Sequence, residues 1–264
     1  MDRFYDLLNT NGFTRVVYSH GFDPVGASNT DKSNHIIDLD CNNCQLTEIP
    51  ELSMCRRLHC YDNQLTDLPE LPVCQELYCY DNQLTELPNL PICQFLSCSN
   101  NRLTHLPELP VCQELYCPNN QLTELPDLPI CQLLYCYDNR LTHLPELPVC
   151  QDLSCNNNQL IQLPELPVCQ FLQCKNNQLT QLPELPMCQF LSCLNNSLPY
   201  FITNVMSHIR YKRYLIFYQS ICARKIQTYY TNYRKRKFKS LVLCIQSKLC
   251  YDMIELLGQH IHLK

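Results

Sequence analysis

Pairs of cysteine residues five positions apart recur along most of the chain, beginning with Cys55 and Cys60. Thiols in such a pattern have three chemical uses: zinc coordination, disulfide formation, and redox or nucleophilic chemistry. A zinc site joins a first pair of cysteines to a second pair or to histidines, and no histidine recurs with the period of the cysteines. The C-x-x-C segment from Cys41 to Cys44 coincides with two ordinary positions of the recurring pattern. A structural role is therefore favoured, and metal binding stays open as an alternative.

Disulfides between neighbouring copies of the pattern are the other alternative. In-register residues on adjacent strands lie about 5 Å apart, within the Cα separation that a disulfide permits. The side chains of such neighbours run parallel, however, and the opening MDRFYDLLNT is charged and lacks an apolar signal segment, which predicts a reducing, cytoplasmic location. Free cysteine packs as a small hydrophobe and is among the most often buried residues. We therefore expect the cysteines to be core thiols.

The cysteines belong to a regular repeat, because leucines such as Leu58, Leu77 and Leu96 follow one another at intervals of 19 residues without insertion. The unit reads C-x-x-L-x-C-x-x-N-x-L-T-x-L-P-x-L-P-[VIM], with Ile36 in place of the first cysteine. Eight full copies begin at residues 36 to 169, and a truncated ninth covers residues 188 to 198. Self-similarity at this period is typical of a solenoid, in which each unit is stable only when stacked on its neighbours.

Elementary stereochemistry predicts the shape of one unit. The alternating segment x-L-x-C-x predicts a short strand that turns leucine and cysteine inward. The next residues, for example Tyr61-Asp62-Asn63, predict a turn, because Asn and Asp tolerate a left-handed backbone. The L-P-x-L-P arm is expected to be extended, since proline fixes φ and lacks an N–H donor. The recurring asparagines, from Asn63 to Asn196, should form a ladder of hydrogen bonds to turn backbone. Nine stacked strands would make a rod about 40 Å long.

These residues resemble the leucine-rich repeat, L-x-x-L-x-L-x-x-N-x-L, with cysteine at the first and third leucine positions. The L-P-x-L-P arm is similar to the short repeats of bacterial effectors of the YopM and IpaH type, and the cysteine- and asparagine-rich composition resembles the leucine-rich repeat proteins of giant DNA viruses of amoebae. The resemblance covers residues 36–198. It implies an α/β-type repeat solenoid with short parallel strands, extended return arms and small helical caps at both ends, and it implies a protein-binding role.

Three outward positions around each strand vary between copies, whereas the inward positions hardly change. Tyrosine and phenylalanine are concentrated at these positions and are surrounded by acidic side chains, a composition that indicates a protein-binding surface. The alternative is that aromatic residues are present because they favour strands. The candidate binding residues are Tyr61, Glu76, Tyr78, Tyr80, Phe95, Glu114, Tyr116, Tyr135, Tyr137, Phe171 and Phe190.

Residues 199–264 differ from the rest of the chain in charge. They contain 12 Lys and Arg against 2 Asp and Glu, whereas residues 1–198 contain 8 against 23. Helical spacing of apolar residues predicts a helical segment that caps the solenoid. Part of it resembles the calmodulin-binding IQ motif, and its basic run also suits nucleic acid or another acidic surface. The residues concerned are Ile226, Gln227, Arg234, Lys235, Arg236 and Lys237.

Catalysis is not expected. The letters Cys250-Tyr251-Asp252 fit the C-x-D nucleophile of the ubiquitin-ligase domain that IpaH-type effectors carry, but the same letters begin at Cys60 inside the repeat. The segment 199–264 is also too short for that domain. We therefore predict a helical cap over residues 1–35, a solenoid over 36–198 and a basic helical segment over 199–264. The expected function is a scaffold without cofactor that binds a protein, expected to be a host protein, on its strand face.

Overall fold

The computed structural model describes residues 1–10 and 12–198, and within them ten strands form one continuous sheet in chain order. The predicted helical segment over 199–264, with its calmodulin- and nucleic-acid-binding candidates, lies outside these described residues. The strands are β1 (Arg15–Tyr18), β2 (Ile36–Asp40), β3 (Arg57–His59), β4 (Glu76–Tyr78), β5 (Phe95–Ser97), β6 (Glu114–Tyr116), β7 (Leu133–Tyr135), β8 (Asp152–Ser154), β9 (Phe171–Gln173) and β10 (Phe190–Ser192).

Strands β2 to β10 are parallel and are paired without any change of register. Leu39 lies beside Leu58, which lies beside Leu77, so that each strand is displaced from the next by one full copy of the repeat. The same pairing continues to Leu172 and Leu191. The predicted repeat solenoid with short parallel strands is confirmed.

The segment that precedes β2 contains a strand as well as the expected helices. Helices α1 (Asp2–Asn9) and α2 (Asn29–Asn34) flank β1, which pairs antiparallel with β2. The pattern of apolar residues predicts only helix here, but the β-branched pair Val16-Val17 favours a strand. Pairing β1 with β2 satisfies backbone groups that would otherwise form an open sheet edge.

The turn after each strand contains a residue with a left-handed backbone, as the sequence predicts. Aspartate or asparagine occupies this position in every copy, with φ of 58° at Asp62, 54° at Asn119 and 56° at Asn195. These two residue types adopt the conformation at lower cost than other non-glycine residues because their short polar side chains bond locally. The chain can therefore turn at every repeat although it contains only 4 glycines.

The next residue is the inward asparagine in every turn except the first, where Cys44 takes its place, and the predicted ladder is confirmed. The Asn120 side chain donates to the backbone carbonyls of Cys98 at 3.0 Å and Cys117 at 3.3 Å, and its Oδ1 accepts from the Leu103 N–H at 3.0 Å. Asn139 repeats the set one copy later. Each amide thus joins the backbone of two neighbouring copies, and the ladder fastens the turns along the solenoid.

The interior is filled by leucine and cysteine in alternating rows. Leu115 and Cys117 are fully buried, and so are their equivalents in the neighbouring copies. Of the 18 cysteines among the described residues, all except Cys44 are buried. The prediction that cysteine serves as core filler is therefore confirmed for these positions. None of the helices in the described ranges is long and apolar enough to cross a membrane.

Candidate functional site

The strand face of the solenoid presents three columns of outward side chains. The first outward column precedes each strand leucine, the second outward column follows it, and the third outward column follows the second cysteine of each copy. Because the strands are stacked in register, members of a column lie about 4.8 Å from one another along the solenoid. Glu76, Tyr78 and Tyr80 represent the three columns in one copy.

Aromatic rings in the first and second outward columns form a continuous stack across five strands. The ring of Tyr78 stacks on His59 at a centroid distance of 4.2 Å and on Phe95 at 4.5 Å. Phe95 then contacts Tyr116 at 5.4 Å, and Tyr116 meets Tyr135 edge-on at 5.2 Å. Such ring pairs are mutually stabilising. The stack gives the strand face a rigid aromatic ridge before any partner binds.

The third outward column has a shorter stack of its own. Tyr61 and Tyr80 lie nearly parallel, with an interplanar angle of 9° and a centroid distance of 4.4 Å. Burial, and after it the neighbouring Tyr61, raises the pKa of Tyr80 to about 12. Both tyrosines follow the ends of β3 and β4, so this stack borders the turns and lies beside the strand ridge.

Two tyrosines of the ridge form hydrogen bonds to acidic side chains. The Tyr135 hydroxyl donates to Asp152 Oδ2 at 3.0 Å, and the Tyr116 hydroxyl reaches Glu114 Oε2 at 3.5 Å. The other oxygen of Asp152, Oδ1, is buried and has no hydrogen-bond partner among the described residues. Burial, followed by the Asp152 carboxylate, raises the pKa of Tyr135 to about 12. The phenols therefore stay protonated and act as donors at neutral pH.

Burial raises the pKa of Asp152 itself, against the opposing effect of its hydrogen bond from Tyr135. A carboxyl whose pKa is higher in the folded chain stabilises the fold below its ordinary pKa, and this contribution is lost as the pH rises through the raised value. Ionising Asp152 is therefore less favourable in the folded chain than in the unfolded chain. A neutral Asn at this position should not unfold the protein.

Asp38, a carboxylate in the first outward column, forms ion pairs with two arginines. Its Oδ2 lies 2.9 Å from Arg15 Nη2 and 3.0 Å from Arg57 Nη2, and the Asp38 side chain is almost fully buried. These contacts are ion pairs without the alignment of good hydrogen bonds, since the same oxygen has no hydrogen bond. One arginine comes from β1 and the other from β3, so the contact also ties the N-terminal strand to the solenoid.

The structure places the eleven predicted strand-face residues on one face, but it does not leave them equally accessible. Ten of the eleven are half-buried against their neighbours, and Phe171 alone is exposed, at 43%. Rings that stack on one another hide much of the apolar area that the sequence suggests. His59 was not among the predicted residues, although its ring ends the ridge. An aromatic neighbour one repeat later, Tyr78, is the signal in the sequence that identifies it.

A second exposed apolar row escaped the sequence interpretation. The residue between the last proline of each copy and the next cysteine is partly exposed, at 39% for Ile92, 40% for Ile130 and 38% for Val168. The L-P-[VIM]-C sequence suggests that this apolar residue lies in the core, because buried residues flank it on both sides. In the structure the chain turns at this point, and the side chain lies at the surface beside the start of the strand.

The thiols are poorly suited to chemistry on this face. Burial raises the pKa of Cys131 to about 11 and that of Cys55 to about 12, so the reactive thiolate is scarce at neutral pH. The Cys131 Sγ also donates to the backbone carbonyl of Leu133 at 3.2 Å. Within residues 1–10 and 12–198, no three His, Cys, Asp or Glu side chains are grouped so that they could hold a metal ion.

Solved structures of bacterial leucine-rich proteins resemble this chain. The leucine-rich effector YopM from Yersinia pestis is 31% identical over 61% of this chain and 61% of its own, with a TM-score of 0.54. YopM from Yersinia enterocolitica WA-314 is 33% identical over 62% of this chain and 48% of its own, with a TM-score of 0.49. The leucine-rich repeat domain of a Shigella effector is 27% identical over 64% and 73%, with a TM-score of 0.47. No protein-family model and no curated protein matches the sequence.

The register of the strands and the likeness to the Yersinia pestis protein define the class of fold. The chain folds as a leucine-rich repeat solenoid in which cysteine replaces two of the leucines of each copy after the first. It spans about three fifths of the length of the Yersinia pestis chain, at 61%. This likeness supports the fold.

Proposed function

We propose that the protein is a non-catalytic scaffold that binds another protein on the strand face of its solenoid. The observation that carries this proposal is the preformed ridge from His59 to Tyr135, in which neighbouring rings lie within 5.4 Å of one another and are bordered by carboxylates. Rigid aromatic side chains supply contact area at low entropic cost and are enriched where binding energy is concentrated. The effector of Yersinia pestis, with the same fold, supports a role of this kind.

Our proposal extends to the origin of the protein and to the kind of partner that it binds. The resemblance of the cysteine- and asparagine-rich repeat to proteins of giant DNA viruses supports a viral origin, and with it a partner from the cytoplasm of the host. The basic segment offers a second, separate binding function. Its excess of Lys and Arg and its IQ-like residues, Ile226 and Gln227, support calmodulin or nucleic acid as the ligand. A ligase function through Cys250 has the support of three sequence letters only.

Affinity capture from cells that express the full chain tests the strand face. The variant in which Tyr78, Tyr80, Tyr135 and Tyr137 are changed to serine is expected to lose most of its captured partner, because it removes rings from both stacks. Since these side chains are outside the leucine and cysteine core, the variant should keep the circular dichroism spectrum of the folded chain. Captured proteins are compared by quantitative mass spectrometry.

The exposed apolar row supplies the matched control. Changing Ile92, Ile130, Val149 and Val168 to serine also removes four partly exposed apolar side chains, but it leaves the ridge intact and should leave capture unchanged. A further arm deletes residues 199–264 and reports whether the basic segment recruits partners of its own. Retention of every partner by the tyrosine variant would contradict the proposal, as would loss of the partner only in the control.

A further inference from the structure

Carboxylates recur in the first outward column at every second strand from β2 to β8. Asp38, Glu76, Glu114 and Asp152 occupy the same position in alternate copies of the repeat, on β2, β4, β6 and β8. Of the intervening strands, β3 places Arg57 in the same column and β5 and β7 place the apolar Phe95 and Leu133 there, and Phe171 follows on β9. At about 4.8 Å for each strand, successive carboxylates are about 9.6 Å apart along the solenoid.

The first of these carboxylates is paired with arginine, whereas Glu114 and Asp152 accept only hydrogen bonds from Tyr116 and Tyr135 among the described residues. Asp38 is bound by the guanidinium groups of Arg15 and Arg57 at 2.9 and 3.0 Å. Within the part of the chain that the structure describes, Glu76, Glu114 and Asp152 form no ion pair.

The spacing of the carboxylates indicates which backbone conformation of a ligand would place one side chain opposite each of them. A polyproline II segment rises about 3.1 Å per residue, so that every third side chain lies on one face at intervals of about 9.3 Å. Alternate residues of a β-strand repeat at about 6.8 Å, and residues seven apart on an α-helix repeat at about 10.5 Å. Over the two intervals from Glu76 to Asp152, the side chains of a polyproline II segment therefore stay within about 1 Å of the positions of the carboxylates. The side chains of a β-strand or an α-helix deviate from these positions by more.

The apolar side chains between the carboxylates suit the same ligand. Proline-rich segments in this conformation dock in grooves lined by aromatic rings, and Phe95 lies within the aromatic ridge between Tyr78 and Tyr116. Arginine fits the remaining positions because its planar guanidinium pairs with carboxylates and stacks on rings. The excess of acidic over basic residues between positions 1 and 198, 23 against 8, favours the approach of a basic segment.

We propose that the first outward column binds an extended proline-rich segment of a partner protein, with arginine at every third residue opposite Glu76, Glu114 and Asp152. This inference rests on the proposed function and specifies the partner that the strand face accepts. The segment lies along the solenoid axis, across the strands, with its prolines against Phe95 and Leu133.

Synthetic peptides and the full-length protein test the register. The probe repeats Arg-Pro-Pro four times, and its control has the same composition with the four arginines adjacent. Fluorescence anisotropy should show the register peptide binding at least about tenfold more tightly, since only its charges meet the three carboxylates together. Equal affinity for both peptides would show that net charge alone attracts them and would overturn the inference.

Two charge-matched variants locate the binding. Glu76→Gln, Glu114→Gln and Asp152→Asn combined should weaken the register peptide on the order of tenfold to a hundredfold. The combined Glu86→Gln, Glu124→Gln and Glu165→Gln variant removes the same charge from exposed positions on the return arms and should leave binding nearly unchanged. If the two variants bind alike, or if no peptide binds, the inference is wrong.

Failure of this inference is distinguishable from failure of the proposed function. Where capture by the full chain depends on the tyrosine ridge while the register peptide does not bind, the scaffold role stands and the proposed ligand is wrong. Where the tyrosine variant also captures the same partners as the unchanged protein, the strand face is not the binding surface.

Discussion

Replacing Asn120 with alanine is expected to lower the free energy of unfolding by about 3 kcal/mol, because its amide joins two copies of the repeat. The carbonyls of Cys98 and Cys117 would each lose one bond but keep another, from Asn101 and Asn139 respectively. The N–H of Leu103 would lose the Asn120 oxygen at 3.0 Å. A buried donor left without a partner costs about 1 to 3 kcal/mol, and the lost carbonyl bonds add to it. Urea unfolding followed by circular dichroism measures the change.

The preceding residue in the same turn provides the control. Asn119 is exposed, has φ of 54° and donates to Asn100 Oδ1 at 2.8 Å. Glycine adopts this left-handed backbone without strain, so we expect Asn119→Gly to lower the free energy of unfolding by less than about 1 kcal/mol. Equal losses at the two positions would mean that the inward ladder does not hold the copies together.

Replacing Cys117 with aspartate is expected to destabilise the fold by more than about 4 kcal/mol, which is a large part of the stability of a domain. The side chain is fully buried between rows of leucine, where burial already raises the pKa of the native thiol well above its usual value. An ionised carboxylate without a partner is far costlier there than a neutral thiol. Chemical unfolding, or the loss of soluble folded protein, reports the effect.

Two further substitutions separate core filling from chemistry. Cys117→Ala removes one buried sulfur and should cost about 1 to 2 kcal/mol through the cavity it leaves. Cys44→Asp places the same charge at a half-buried cysteine near Arg3, whose Nε donates to the Cys44 carbonyl at 2.6 Å, and should cost less than about 1 kcal/mol. If alanine at position 117 were as damaging as aspartate, cysteine would be needed for a bond and not for its volume.

The sequence predicts those features of the fold that follow from position within the repeat. Leucine and cysteine alternate with polar residues, so their inward orientation follows from the period of a strand. The turn is equally predictable, because only a few residue types adopt the left-handed backbone that Asp62 and its equivalents show. The ladder follows because a buried amide such as Asn120 must find partners.

Features that depend on packing between side chains were not predictable in the same way. The stack of His59 on Tyr78 requires both rings to turn toward each other, and the repeat pattern does not specify that orientation. Strand β1 forms because it covers the edge of β2, a tertiary effect that outweighs the helical pattern of the first residues. The partial exposure of Ile92 arises from the turn that follows its proline.

Counting the reactive thiols of the native chain tests most directly whether the cysteines are core filler, on which the assignment of function to the strand face depends. Of the 21 cysteines, 17 are buried within residues 1–10 and 12–198. An aromatic disulfide reagent should therefore react promptly with at most four thiols, namely Cys44 and the three that follow residue 198, and with all 21 in guanidinium. Prompt reaction of most thiols in the native protein, or stoichiometric bound zinc, would contradict the account.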